Sequence, residues 1–251
     1  MSKRIYLVLA VLSVALLVPI VATAQQPEPP IYTSVALWNV PRAQWADFTA
    51  FLDKNGRPVL ERMFANGTIV SWGTFATVFH QENGFTHGTW YATTSIAAGQ
   101  RVLDELLKLP PNPATLGARH RDHLFRSLIH RGRATGPRSG YLSVAAFEAQ
   151  PGRGGEWLEL WKRYFQPMYD DWLANGTISL YEVEVEQVHT ENPNWRFIVT
   201  VAPDAEALDK MTAGISALFE KNPTLGAAFA PLSVPGAHWD YLARVANYAH
   251  K

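Results

Sequence analysis

The pentapeptide Ala65-Asn66-Gly67-Thr68-Ile69 returns unchanged as Ala174-Asn175-Gly176-Thr177-Ile178, 109 positions further on. A copied catalytic loop would repeat alone; a copied structural unit would bring its neighbours with it. With the chain laid on itself at that offset, Ser34 to Asn83 align without a gap onto Ser143 to Asn192, with 12 identities in 50 positions. The matches include Ser34-Val35-Ala36 on Ser143-Val144-Ala145, Pro58 on Pro167, and His80-x-Glu82-Asn83 on His189-x-Glu191-Asn192. After short insertions the halves meet again at Asn112-Pro113 and Asn222-Pro223. They meet once more at His120-x-Asp122-x-Leu124-x-Arg126 and His238-x-Asp240-x-Leu242-x-Arg244. A repeat of this length has the size of a small domain and is too long for a solenoid unit.

Each copy reads in the same order. Alternating residues at Tyr32 to Val40, and at Tyr141 to Glu148, predict a strand. Trp45, Phe48, Phe51, Leu52, Leu60, Met63 and Phe64 then line one helical face, as do Trp157, Leu160, Trp161, Tyr164, Phe165, Trp172 and Leu173 in the second copy. Pro58 and Pro167 fall inside these patterns and predict a kink or break. Ala-Asn-Gly ends the helix, because Gly67 and Gly176 can take the left-handed conformation found there, and Thr-Ile resumes as strand. Second strands follow at Val70 to His80 and Ser179 to His189, third strands at Thr86 to Thr94 and Trp195 to Ala202. Helices are expected over Ile96 to Leu109 and Asp204 to Lys221, with Asp204 as N-cap, and last strands over Leu124 to Arg131 and Tyr241 to Tyr248. The order is βαββαβ, twice.

Around the repeat, Lys3 and Arg4 precede an apolar run from Ile5 to Ile20 and an Ala22-Thr23-Ala24 processing site, which reads as an export signal over 1–24 cleaved before Gln25. An uncleaved anchor is the alternative. A disordered lead-in is expected over 25–30, domains over 31–131 and 141–251, and a Gly- and Arg-rich linker over 132–140. The mature net charge is about −2, which gives no footprint for nucleic acid. The chain has no cysteine, which excludes disulfides and thiolate chemistry, so stability rests on burial of its 47% hydrophobic residues and nine tryptophans. No phosphate loop, Rossmann glycine pattern, G-x-S-x-G or H-E-x-x-H is present. The Asn66 and Asn175 sequons are explained by the helix stop.

This order is that of a ferredoxin-like unit, in which both helices cover one face of an antiparallel sheet and leave the other bare. The sequence resembles the dimeric α/β-barrel superfamily, including its NIPSNAP-like, EthD-like and antibiotic-biosynthesis-monooxygenase-like families. The nearest local likeness is Tyr141 to Tyr181: a strand, a Pro-Gly turn, a Trp-rich helix with an internal proline, and a strand. The resemblance implies an α+β fold of two ferredoxin-like domains closing sheet to sheet into a barrel, a monomer that is already a pseudo-dimer or a homo-oligomer of it, and a ligand space between the sheets. No cofactor is expected, although some relatives hold haem.

Alternation selects the residues for that space. Glu182, Glu184 and Glu186 share a face; Arg196 and Thr200 share one, Arg126 and His130 another, Arg244 and Tyr248 another, and His87 and Tyr91 another. One reading makes these solvated surface charges. The other assigns Arg126, Arg196, Arg244, Glu182 and His130 to an aromatic or acidic small-molecule ligand, and Glu184, His87 or Tyr91 to proton transfer. His120 and His123 could form a metal pair, but a structural role before a strand is the ordinary reading. The sequence therefore carries a ligand-binding protein, a cofactor-independent enzyme, a haem protein and a structural protein as candidate functions.

Overall fold

The computed structural model describes residues 30–80, 84–188 and 192–251. The export signal and most of the lead-in lie outside them, as do Glu82, Asn83, His189 and Glu191. Eight strands form one closed antiparallel barrel: β1 (Tyr32–Asn39), β2 (Ser71–Thr77), β3 (His87–Thr93), β4 (Arg119–Gly132), β5 (Thr135–Ala149), β6 (Leu180–Glu186), β7 (Trp195–Ala202) and β8 (Ser233–His250). Around the barrel the order is β1-β3-β2-β8-β5-β7-β6-β4. Each half supplies the four strands of a ferredoxin-like sheet, β4-β1-β3-β2 and β8-β5-β7-β6. The halves join edge to edge, β2 to β8 and β6 to β4, so each sheet's outer strands are paired by the other half.

The helices lie outside. In the first half α1 (Trp45–Phe51) runs through a π-turn at Leu52–Gly56 into α2 (Arg57–Ala65), which places Pro58 in the first turn of α2. The second half breaks at the same place, between α4 (Gly154–Tyr164) and α5 (Gln166–Asn175), with Pro167 opening α5. A proline lacks the N–H that a helix interior needs, but a first turn does not use it. The third helix, α3 (Ile96–Leu106), is capped by Ser95, and α6 (Ala205–Lys221) by Asp204, whose Oδ1 accepts from Ala207 N at 2.8 Å. A short α7 (Leu225–Phe229) follows.

The repeated pentapeptide does what its composition dictates. Gly67 and Gly176 adopt φ of 86° and 85°. The Asn66 and Asn175 Oδ1 atoms each accept from the backbone N–H two residues on, at 3.0 Å. Ile69 and Ile178 are then fully buried at the start of the returning strand.

Two departures from expectation matter for function. The last strands are longer than read: β4 begins at Arg119 and β8 at Ser233, so the His-x-Asp-x-Leu-x-Arg stretches lie within strands, and β5 absorbs most of the expected linker. Each long strand also carries a bulge, at Leu128 between Ser127 and Ile129, and at Ala246 between Val245 and Asn247. These positions correspond in the two copies, so the bulge belongs to the duplicated unit. A bulge adds one residue and reverses the facing of everything beyond it.

Candidate functional site

Which residues face the barrel interior follows from these registers. Glu182, Glu184 and Glu186 alternate with Tyr181, Val183 and Val185 on β6. The tyrosine and Val183 pack outward, in a core with Trp157, Trp161 and Tyr169, so the three glutamates point inward. Glu182 and Glu184 are each 2% exposed and line a central chamber. On β4 the Leu128 bulge brings Ser127 and His130 together on the inner face.

The result is a buried polar chain along the β4–β6 seam. The Oγ of Ser127 stands 3.4 Å from a carboxyl oxygen of both Glu182 and Glu184. A hydroxyl has one hydrogen, so it can donate to one carboxylate only while accepting from the other in protonated form. Burial, then the charge of Glu182, raises the Glu184 pKa well above the usual carboxylate value, which favours Glu184 as the protonated partner. His130 Nδ1 bonds Glu182, and its Nε2 lies 3.0 Å from His250 Nε2. Burial, and then His130, lowers the His250 pKa to about 4, so His250 is neutral. Its ring occupies space that only a glycine leaves open: a Cβ on Gly132 would lie 2.4 Å from it. Nearer the mouth, His123 Nδ1 bonds Glu186 at 2.8 Å.

The other half fills the corresponding space with aromatic rings. At the repeat offset Glu182 corresponds to Gly73 and Glu184 to Phe75. A Cβ on Gly73 would meet the Trp90 ring at 2.0 Å, and one on Gly88 the Phe75 ring at 2.3 Å. Tyr248, the counterpart of His130, is buried with them and donates to Ser179 Oγ at 2.8 Å. The duplication has thus left one polar seam and one apolar seam facing each other.

The chamber between them has a volume of about 730 Å³. Its lining includes Ile198, Thr200, Leu208 and Met211, from the helix side of β7, so the volume also counts a crevice beneath α6. The inner walls are apolar: Val35, Leu37, Phe75, Trp90, Phe125, Leu142, Val144, Phe197 and Val199. Trp195, Trp239, Phe79, Phe85 and Arg121 stand at the mouth. Thr77 donates to Phe85 O at 2.9 Å, so the 2.5 Å contact between Thr77 Oγ1 and the Tyr241 hydroxyl is one in which Tyr241 donates. Burial pushes the Tyr241 pKa up to about 12.

Several residues selected by alternation lie elsewhere. His87 is on the outer face, wedged between Trp45 and Phe48 and bonded through Nδ1 to Thr86 Oγ1 at 3.0 Å. Burial first, and His80 second, lowers its pKa to about 4; it is a neutral core histidine. Tyr91 does share a face with His87, but that face packs under α2 and α3, where its hydroxyl meets Gly99 O at 3.3 Å. Arg196 is also outside, with NH1 bonded to Pro193 O and Trp195 O; burial and then Arg126 lower its pKa. Arg126 and Arg244 precede the two bulges and so face away from His130 and Tyr248. Arg244 is exposed, over the Tyr141 ring. The alternation holds on β3, β6 and β7 and is reversed by the bulges on β4 and β8. The missing information was which face the helices cover and where each bulge falls.

Conversely, Ser127, His250 and Thr33 were not selected, and His123 was weighed only as half of a metal pair with His120. His250 lies at the end of β8, beyond the Tyr241 to Tyr248 stretch over which alternation was read; the role of Ser127 depends on the bulge. For a haem, His123 is the residue that fits: it lines the chamber, Glu186 orients its Nδ1, and its Nε2 has no protein partner among the described residues. Such a group would supply redox chemistry. Among the described residues no cluster of three or more His, Asp or Glu is placed to hold a bare metal ion.

No protein-family model and no curated protein matches the chain. Solved structures do. Two proteins described as "putative monooxygenase" superpose over most of their length. The one from Lactobacillus acidophilus has a TM-score of 0.64 at 10% identity, covering 89% of this chain and 97% of its own. The one from Fusobacterium nucleatum has 0.63 at 11% identity, covering 88% and 94%. An anthrone oxidase-like protein gives 0.53 at 10% identity, covering 89% and 94%. At these identities the likeness concerns the backbone. The chain has the dimeric α/β-barrel fold, with both halves of the barrel carried on one polypeptide.

Proposed function

We propose that the protein binds a small, flat organic molecule inside the barrel. The observation that supports this most directly is the chamber itself. Its walls are apolar, and a few polar groups converge at one end, as in ligand sites generally. A structural barrel would fill both seams with rings, as the β2–β8 seam is filled. The aromatic part of the expected ligand class suits these walls. The acidic part does not suit the deep end: Arg126, Arg196 and Arg244 face outward, and Arg121, exposed at the mouth, is the arginine lining the chamber among the described residues.

The test uses 1-naphthylmethanol as probe, with titration calorimetry on the purified protein. Saturable binding at one site is expected, and Val199→Trp, which fills the chamber from β7, should abolish it. Binding that survives the blocked chamber would refute the proposal, as would no binding of naphthyl compounds of any charge. Export belongs to the same proposal, and an intact mass beginning at Gln25 is its check.

A second reading, cofactor-independent turnover, draws support from Glu184, a buried acid lining the chamber whose pKa is raised by burial and by Glu182. If it acts on the bound molecule, Glu184→Gln removes turnover while leaving binding of a neutral ligand in place. Haem uptake is checked by adding haem and looking for a Soret band that His123→Ala removes.

A further inference from the structure

We infer that the ligand this chamber takes carries a positively charged nitrogen at its deep end, docked on Glu184 and the Thr33 hydroxyl. The inference rests on the chamber being a ligand site and names the chemical class it selects.

Four observations carry it. Glu184 lines the chamber, is 2% exposed, and is bonded to a neutral hydroxyl, that of Ser127, rather than to a cation. Thr33 Oγ1, on β1 across β4 from it, lines the same space, is 3% exposed and faces the Glu184 carboxyl, with no other hydrogen-bond partner. A buried hydroxyl oxygen left without a donor beside a chamber is a cost that a donor from a ligand would remove. Third, the imidazole nearby, His130, is already committed to Glu182. Fourth, Phe75, Trp90, Phe125 and Phe197 line the chamber, and aromatic rings are the apolar wall that an organic cation tolerates best.

Charge balance gives the sign. Burial, and then Glu182, favours the protonated form of Glu184. An ammonium group can replace that proton without changing the net charge of the interior. A carboxylate would add a further negative charge next to Glu182, whose desolvation nothing at the floor would offset. The groups facing Glu184 from the packed elements are Glu182 and Glu186 on β6, and His123 and His130 on β4. His250 lies beyond His130 on β8, and Arg121 and Asp240 stand at the mouth. Glu184 differs from these in lacking a charged partner while lining the chamber. Binding of an amine therefore releases a proton wherever Glu184 is still protonated, and affinity rises with pH until Glu184 ionises unaided.

The experiment compares 1-naphthylmethylamine, 1-naphthylmethanol and 1-naphthoate by titration calorimetry, in buffers of differing ionisation enthalpy, from about pH 5 to about pH 8. The amine should bind about tenfold or more tightly than the alcohol at the alkaline end, the gain of one charge-assisted hydrogen bond. It should release a proton at the acidic end, and both signatures should vanish in Glu184→Gln, whose uncharged amide mimics the protonated acid. Thr33→Val should reduce amine affinity with proton release intact. An alcohol that binds as well as the amine would overturn the inference and leave the ligand-site reading standing, and so would tightest binding by the naphthoate. Failure of all three probes would remove the ligand-site reading and the inference with it.

Discussion

Replacing Glu184 by glutamine should make the protein more stable at neutral pH, by an amount that grows with pH. The folded state holds the Glu184 proton more tightly than the unfolded chain does, because burial and Glu182 raise its pKa above the ordinary value of 4.5. Between that value and the raised one the unfolded chain has released the proton and the folded protein has kept it. Stability contributed by this site therefore falls as pH rises, by about 1.4 kcal/mol per pH unit, and levels off once the folded group ionises. Glutamine does not titrate, so the difference between variant and wild type isolates the site from other groups, including His87 and His250. In a chain of 251 residues, each kcal/mol moves the melting temperature by about 2–4 °C. Urea unfolding of both proteins at about pH 5, 6, 7 and 8 reads the slope. Parallel curves would refute the reasoning, because they would mean that Glu184 titrates alike in both states and has no buried, protonated existence.

The remaining predictions concern packing and the second core. Gly73→Val should destabilise by about 1–3 kcal/mol, since its first side-chain atom already meets the Trp90 ring at 2.0 Å. Gly155→Ala, in α4 with nothing within 4 Å, should be neutral or stabilising by up to about 1 kcal/mol; urea midpoints compare the two. Tyr241→Phe loses the hydrogen bond donated to Thr77 and should cost about 1 kcal/mol. His87→Phe should remove part of the acid sensitivity. The folded His87 pKa of about 4 lies below the unfolded 6.5, so wild type loses stability as pH falls from about 6.5 through about 4, and the variant loses less. Equal acid sensitivity in the two would contradict the placement of a neutral His87 between Trp45 and Phe48.

The architecture was legible because its signals are local. The repeated Asn-Gly needs a left-handed residue after a helix, Pro58 and Pro167 need a helix start, and the 109-residue offset ties the two halves together whatever their fold. The barrel followed from a simple problem, two sheets each with a bare face. The inner residues were legible only in part. Glu182 and Glu184 emerged from strict alternation on an unbulged strand. Arg126 with His130, and Arg244 with Tyr248, were paired across positions where an extra residue reverses the facing, and no residue at Leu128 or Ala246 announces it. His87 and Tyr91 show a different difficulty. Alternation places two residues on a common face but does not say whether helices or the chamber lie over it. The unlike seams also escaped the repeat, since divergence between the copies, Glu182 against Gly73 and Glu184 against Phe75, is where the chamber arises.

The account stands or falls on where a bound molecule sits. Crystals soaked with a ring-brominated 1-naphthylmethylamine, measured at the bromine absorption edge, would locate the bromine directly by its anomalous signal. The account predicts one peak inside the barrel, between the Phe125 and Trp90 walls, with the amine within hydrogen-bonding distance of Glu184. A peak outside the barrel, under α6 or on the surface, with the chamber empty at ligand concentrations that saturate binding in solution, would contradict it.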